Sequence, residues 1–180
     1  MSDYRRAKVQ GGVYFFTVIT YDRQAVLLEE AVRAALRQGI ENARRTLPFE
    51  IEAWVLLPDH LHCLWTLPPE DHNFSARWAI IKRQVSRDCS LPHQPMLSQS
   101  RQRRNESGFW QRRFWEHLIR DETDFRHHMD YIHWNPVKHG YVKQVADWPY
   151  STFHRHVRRG WYPPDWGGAG VDAMKGEFGE

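Results

Sequence analysis

The chain has 180 residues, 41% of them hydrophobic and 14% aromatic, which suits one domain with a real core and excludes a disordered chain. Its net charge is +3, and its two cysteines, Cys63 and Cys89, form no CxxC pair, so a disulfide scaffold and a thiolate zinc site are excluded. The start, MSDYRRAKVQGG, lacks a signal-peptide core and no apolar run approaches a membrane span, so a cytoplasmic protein with no membrane partner is expected.

The small net charge hides an asymmetry. Residues 77–120 carry 10 basic against 3 acidic side chains, a net of +7, while the segments on either side each carry −2. Positive charge gathered in the middle of a chain is expected where a polyanion docks, although a solvated surface gives the same count. The nine tryptophans serve either a core or a surface that stacks unpaired bases.

In chain order, Val13–Thr20 (VYFFTVIT) is rich in β-branched and aromatic residues and reads as a buried strand. Ala25–Leu47 has helical character and stops before Pro48. Phe49–Leu57 and His60–Leu67 read as strands joined into a hairpin by the Pro58-Asp59 turn. Asn73 or Ser75 caps a helix running to about Cys89, with Trp78, Ile81 and Val85 on one face. Residues 90–108 show no periodicity and read as a mobile basic loop. Phe109–Ile119 reads as a fourth strand and Asp121–Asn135 as a helix ended by Pro136. A short helix lies near Tyr150–Arg158, followed by a Gly- and Pro-rich tail. The expected fold is α+β, ferredoxin-like β-α-β-β-α-β-α, with an antiparallel sheet and helices on one face. The expected organisation is a single domain over 1–158, with the basic loop at about 90–108, and an irregular tail over 159–180.

Two constellations carry chemistry. Side chains alternate along a strand, so His60 and His62 project from one face about 7 Å apart along the axis, with Leu61, Cys63 and Trp65 turned to the core. Two imidazoles on an open face can ligate one divalent metal, and a structural role would favour packing residues at such central positions. Tyr131 and Asn135, four apart, share a helix face in the segment YIHWNP. A phenol and a carboxamide are thereby aimed together from the last turn.

A strand-borne HxH pair followed by a helix-borne tyrosine resembles the HUH nucleases. More closely, PDHLHCLWTLP, FWEHLIRDE, HHMDYIHWNPVKHG and WPYSTFHR resemble the REP-associated tyrosine transposases, relatives of insertion-sequence transposases that act on repetitive extragenic palindromes. The resemblance spans Gly12 to His156. It implies that His60, His62 and Asn135 hold a divalent cation, Mg²⁺ or Mn²⁺, and that Tyr131 is the nucleophile. It further implies that single-stranded or hairpin DNA is nicked and rejoined through a 5′-phosphotyrosine. A monomer is favoured over a dimer. Arg83, Arg101, Arg103, Arg104, Arg112, Arg113 and Lys138 are the expected DNA contacts. The group assisting Tyr131 is left among the metal, Lys138, His127 and His128, while His133, His139, His154 and His156 read as surface or DNA-contacting residues. Three rivals remain: an HxH metal hydrolase that activates water, a non-catalytic nucleic-acid-binding protein whose aromatics over Phe109–Trp115 stack on bases, and a helper that has kept the fold and lost mobility as an element.

Overall fold

A computed structural model describes residues 8–91, 99–103, 107–167 and 178. Its strands β1 (Val13–Ile19), β2 (Glu50–Leu56), β3 (His60–Thr66) and β4 (Trp115–Leu118) form one antiparallel sheet in the order β2-β3-β1-β4. The helices are α1 (Glu30–Thr46), α2 (Phe74–Asp88), a short α3 (Gln99–Gln102), α4 (Glu122–Lys138) and α5 (Phe153–Arg158). The α+β class and the ferredoxin-like strand order are as expected.

The layering differs from expectation. The crossover helices α1 and α2 share one face of the sheet, where Phe16, Cys63 and Trp65 meet Leu36, Trp78 and Ile81 in one core cluster. The later helix α4 lies on the opposite face, where Phe15, Val55 and Leu64 pack on Met129, Tyr131 and Ile132. The physical reason lies in the central strands. β1 and β3 are buried along nearly their whole length, so neither face is left to water and each needs a helical cover.

Local chemistry explains the element ends. Val32, Ala35, Leu36, Gly39 and Ala43 recur at helical spacing on the buried side of α1. Gly39 sits where α1 meets α2, and a Cβ there would come within 3.1 Å of the Ile81 Cα, so the close approach favours glycine. Asn73 caps α2 by accepting from the Ala76 amide at 3.1 Å, and Asp121 caps α4 by accepting from the Asp124 amide at 2.8 Å. Arg77 is fully buried in α2 and donates to the carbonyls of Leu47, Pro48 and Asn73 and to Asp71. It is a structural tether and leaves the basic surface that the charge count implied.

Two boundaries move. The fourth strand contracts to Trp115–Leu118, because Phe109 and Trp110 turn into the core and only Trp110 keeps a bridge, to Thr20. Helix α4 continues through Pro136 to Lys138 instead of stopping at Asn135. In the last turn the amide that proline lacks costs one intrahelical bond, and the Tyr141, His139 and Gly140 amides satisfy the carbonyls of Pro136, Asn135 and Val137.

The edge of β2 is closed by the segment before α5: Leu56 takes Tyr150 O, Thr152 takes Trp54 O, and Val55 bridges Ser151. Of the expected basic loop, residues 92–98 and 104–106, and with them Arg104, lie outside the described residues, as does most of the tail after 167.

Candidate active site

Strand β3 carries His60 and His62 on the face covered by α4. Their ring centroids are 4.9 Å apart, edge to face. Both are buried, at 1% and 0% exposure, so the pair lies beneath α4 and not on the open face that alternation suggested. Each ring is held by a second residue. The Asp59 carboxylate lies 2.7 Å from His60 Nδ1, and Arg23 holds Asp59 in turn at 3.0 Å. Burial alone would raise the Asp59 carboxyl, but the hydrogen bonds and charges of His60 and Arg23 outweigh it and hold it below its usual range. His62 Nδ1 lies 2.8 Å from Thr17 Oγ1, whose own proton goes to the Phe178 carbonyl. Thr17 therefore accepts from His62. Both histidines spend Nδ1–H on an oxygen, which leaves the lone pair on Nε2, the tautomer that a metal needs.

Helix α4 brings Tyr131 against this pair, its ring 5.3 Å from that of His62. Asn135, one turn later, is fully buried on the same helix. The continuation past Pro136 places Lys138 two turns after Tyr131, where its Nζ donates to the phenol oxygen at 2.8 Å and lies 4.8 Å from the ring centre. Lys138 is expected both as a DNA contact and among the groups that assist Tyr131, and its place on the phenol oxygen suits the second role. Phe178 stacks on Tyr131, with centroids 3.6 Å apart and planes 8° from parallel.

Sequence reasoning missed several residues here. Asp59 and Thr17 orient the histidines, and His139 stands 5.2 Å from the His60 ring. Asp59 was legible as the neighbour of the HxH, whereas Thr17 and His139 reach the site only through strand pairing and the helix end. His133 and His156, expected at the surface, are fully buried and hydrogen-bonded to each other at 2.8 Å. Burial depresses both; that of His156, with the nearby Arg155 charge, brings it to about 4.

A second set of donors lies between β4 and the first half of α4. His117, Asp124 and His128 bring ligand atoms within 4.8 Å of one another. Burial would raise the Asp124 carboxyl, yet hydrogen bonds from His117 and from the Arg120 amide and guanidinium hold it at about 2. His128 Nδ1 lies 2.8 Å from the Asp124 carbonyl, an acceptor that requires its proton there. These groups already satisfy one another as a clasp joining β4 to α4.

Of the remaining expected DNA contacts, Arg83 is exposed on α2, on the sheet face away from Tyr131, and Arg103, Arg112 and Arg113 are exposed before β4. Arg112 reaches Ser100 Oγ at 3.4 Å. Arg101 falls in α3. No helix among the described residues is long and apolar enough to cross a membrane.

Residues 8–135 match the family model "Transposase IS200 like". A REP-associated tyrosine transposase of Escherichia coli K12 is 50% identical over 177 residues, 98% of each chain. The chain belongs to the REP-associated tyrosine transposases. A further relative of this transposase, from Haemophilus influenzae, is 48% identical over 182 residues, 99% of this chain and all of its own. A solved REP-associated tyrosine transposase bound to a REP hairpin superposes with a TM-score of 0.84 at 49% identity, covering 100% of this chain and 98% of that one. The transposase is thus a member of an enzyme family, and its fold agrees with that of the solved relative.

Proposed function

We propose that this transposase nicks and rejoins single-stranded DNA at a palindromic hairpin, with Tyr131 as nucleophile. The observation that carries the reading is the convergence of the buried Tyr131 phenol and two buried histidines with Nε2 lone pairs, with the exposed Lys138 ammonium on the phenol oxygen. The hairpin substrate is supported by the relative whose structure contains one.

The Tyr131 oxygen attacks phosphorus, the bond from phosphorus to the 3′ oxygen breaks, and the DNA is left joined to Tyr131 through its 5′ phosphate with a free 3′-OH. Lys138 donates to the phenol oxygen and favours its anionic form as it attacks, and the proton lost by the phenol balances the one gained by the leaving oxygen. The P–O bond order is conserved, so attack by a 3′-OH reverses the step without ATP. His60 and His62, with the Asn135 carboxamide, would hold a divalent cation, either Mg²⁺ or Mn²⁺. That ion supplies Lewis-acid polarisation of the scissile phosphate when bound. Exposed Arg103, Arg112 and Arg113, together with Arg83, Arg101 and Arg104, supply phosphate contacts that set affinity. We assign the working form as a monomer, since α4 packs on its own sheet.

Incubation with a labelled hairpin oligonucleotide and Mn²⁺ or Mg²⁺, followed by denaturing electrophoresis, tests this reading. Wild type gives a denaturant-resistant adduct on the 5′-phosphate side. Tyr131→Phe gives neither adduct nor nick while keeping affinity, and His62→Ala loses both through the metal. Cleavage without an adduct, or cutting by Tyr131→Phe at the same site, would assign the pocket to a water-activating hydrolase.

A further inference from the structure

On the face of the sheet away from Tyr131, a groove of about 410 Å³ runs between α1 and the segment that closes the edge of β2. Four arginines line it: Arg33, Arg37 and Arg44 from α1, and Arg155 from α5. Glu50 is its one acidic residue, and Trp54 and Tyr150 supply aromatic surface. Trp54 pairs with Cys63 in the sheet register and therefore points away from the His62 face.

The parts are built rather than incidental. Arg155 is fixed by hydrogen bonds to the carbonyls of Ile51 and Glu52 at 2.9 and 2.5 Å. The Arg33 guanidinium lies 4.9 Å over the Tyr150 ring and donates to Leu28 O. Arg44 shares Glu50 in an exposed pair at 3.2 Å, and Arg37 is exposed and has no ion-pair partner among the described residues. Arginines in excess over acid, with a half-buried indole between them, suit a ligand that offers phosphates and the flat faces of bases. A duplex hides its base faces, so the chemistry favours an unpaired strand.

We propose that this groove is a second nucleic-acid contact of the transposase, holding an unpaired segment of DNA with a base against Trp54 and phosphates on Arg37 and Arg44. The inference rests on the DNA-processing reading above and extends it to a surface that takes no part in the chemistry.

The test is fluorescence anisotropy of a labelled, unstructured thymidine oligonucleotide across a salt series, with wild type, the double variant Arg37→Ala/Arg44→Ala and Trp54→Leu. The two arginines are exposed and Arg44 gives up only a surface ion pair, so the double variant keeps its fold. Its affinity falls on the order of tenfold, and the log–log salt slope flattens by about 1.4, the worth of two single-strand phosphate contacts. Trp54→Leu loses on the order of tenfold at any salt through the lost stack. In both variants Tyr131 adduct formation on the labelled hairpin oligonucleotide, at saturating DNA, stays at the wild-type rate. Wild-type affinity and slope in the double variant overturn the groove assignment, as does thymidine monophosphate binding as tightly as the oligonucleotide. Failure of the adduct in wild type overturns the catalytic reading instead, while the oligonucleotide titration still reads the groove.

Discussion

In the proposed reaction, Lys138 and Tyr131 form the contact on which the chemistry turns. An ammonium 2.8 Å from a phenol oxygen stabilises negative charge on that oxygen most when it is developing, during attack or on return of the strand. Lys138→Met removes the charge at similar length. At saturating DNA the single-turnover rate of adduct formation is expected to fall on the order of a hundredfold, with affinity changed far less. A Lys138 that served only as a phosphate contact would give the opposite split, a weaker Kd with an unchanged rate at saturation. Asp59 and Thr17 act one step further out, since each fixes the proton of a histidine. The HxH motif is legible in sequence because the pair and its spacing are local. The pairing that puts Thr17 opposite His62 belongs to β1 and β3 and has no local signature.

Among the elements, α2 shows how a basic residue can belong to the core. Arg77 joins α2 to the connection between α1 and β2 through the carbonyls of Leu47 and Pro48, the Asn73 carbonyl and the Asp71 carboxylate. The Asp71 carboxyl is lowered chiefly by its hydrogen bond to Arg77. Arg77→Ala removes the one buried donor that these part-buried acceptors share and leaves a void, so stability is expected to fall by about 3 kcal/mol, read as an earlier midpoint in urea unfolding. An unchanged midpoint would show that water replaces the guanidinium at no cost. Helix α4 carries the matching lesson for boundaries. A proline is a sound stop signal in the middle of a helix, but in a last turn it removes one bond only, and the three residues beyond Asn135 deliver Lys138 to the site.

For the molecule as a whole, the buried histidines make the fold sensitive to mild acid. His133 and His156 bond to each other where α4 meets α5, and Tyr162 follows them in donating to Asp130. His156 titrates near 4 in the folded chain, and His133 is also depressed, against about 6.5 for an unfolded histidine. Between those values the unfolded chain takes up protons that the folded chain refuses. Stability is therefore full above about pH 6.5 and is lost as pH falls from there toward about 4. Thermal unfolding at about pH 7 and about pH 5 should show a clear drop in Tm, reduced in His156→Gln. A Tm that is flat over that window would mean that the His133–His156 contact opens without cost. The acid side has a second step: the Asp124 carboxylate stabilises the fold above its unfolded range near 3.8 and loses that contribution as pH falls through about 2.

By itself the sequence determined the fold class, the order of elements within a ferredoxin-like plan, the HxH pair and the tyrosine one turn before an asparagine. Each rests on local periodicity or on short motifs that keep their spacing in the chain. Tertiary structure decided which face each element covers and which charges are really at the surface. The two-sided burial of β1 and β3 drew α4 to the face opposite α1 and α2, and so closed His60 and His62 beneath it. The same packing took Arg77, His133 and His156 out of solvent and turned Phe109 and Trp110 into the core. A charge count or an aromatic run cannot reveal this, because burial depends on which surfaces meet, and those contacts join residues far apart in the chain.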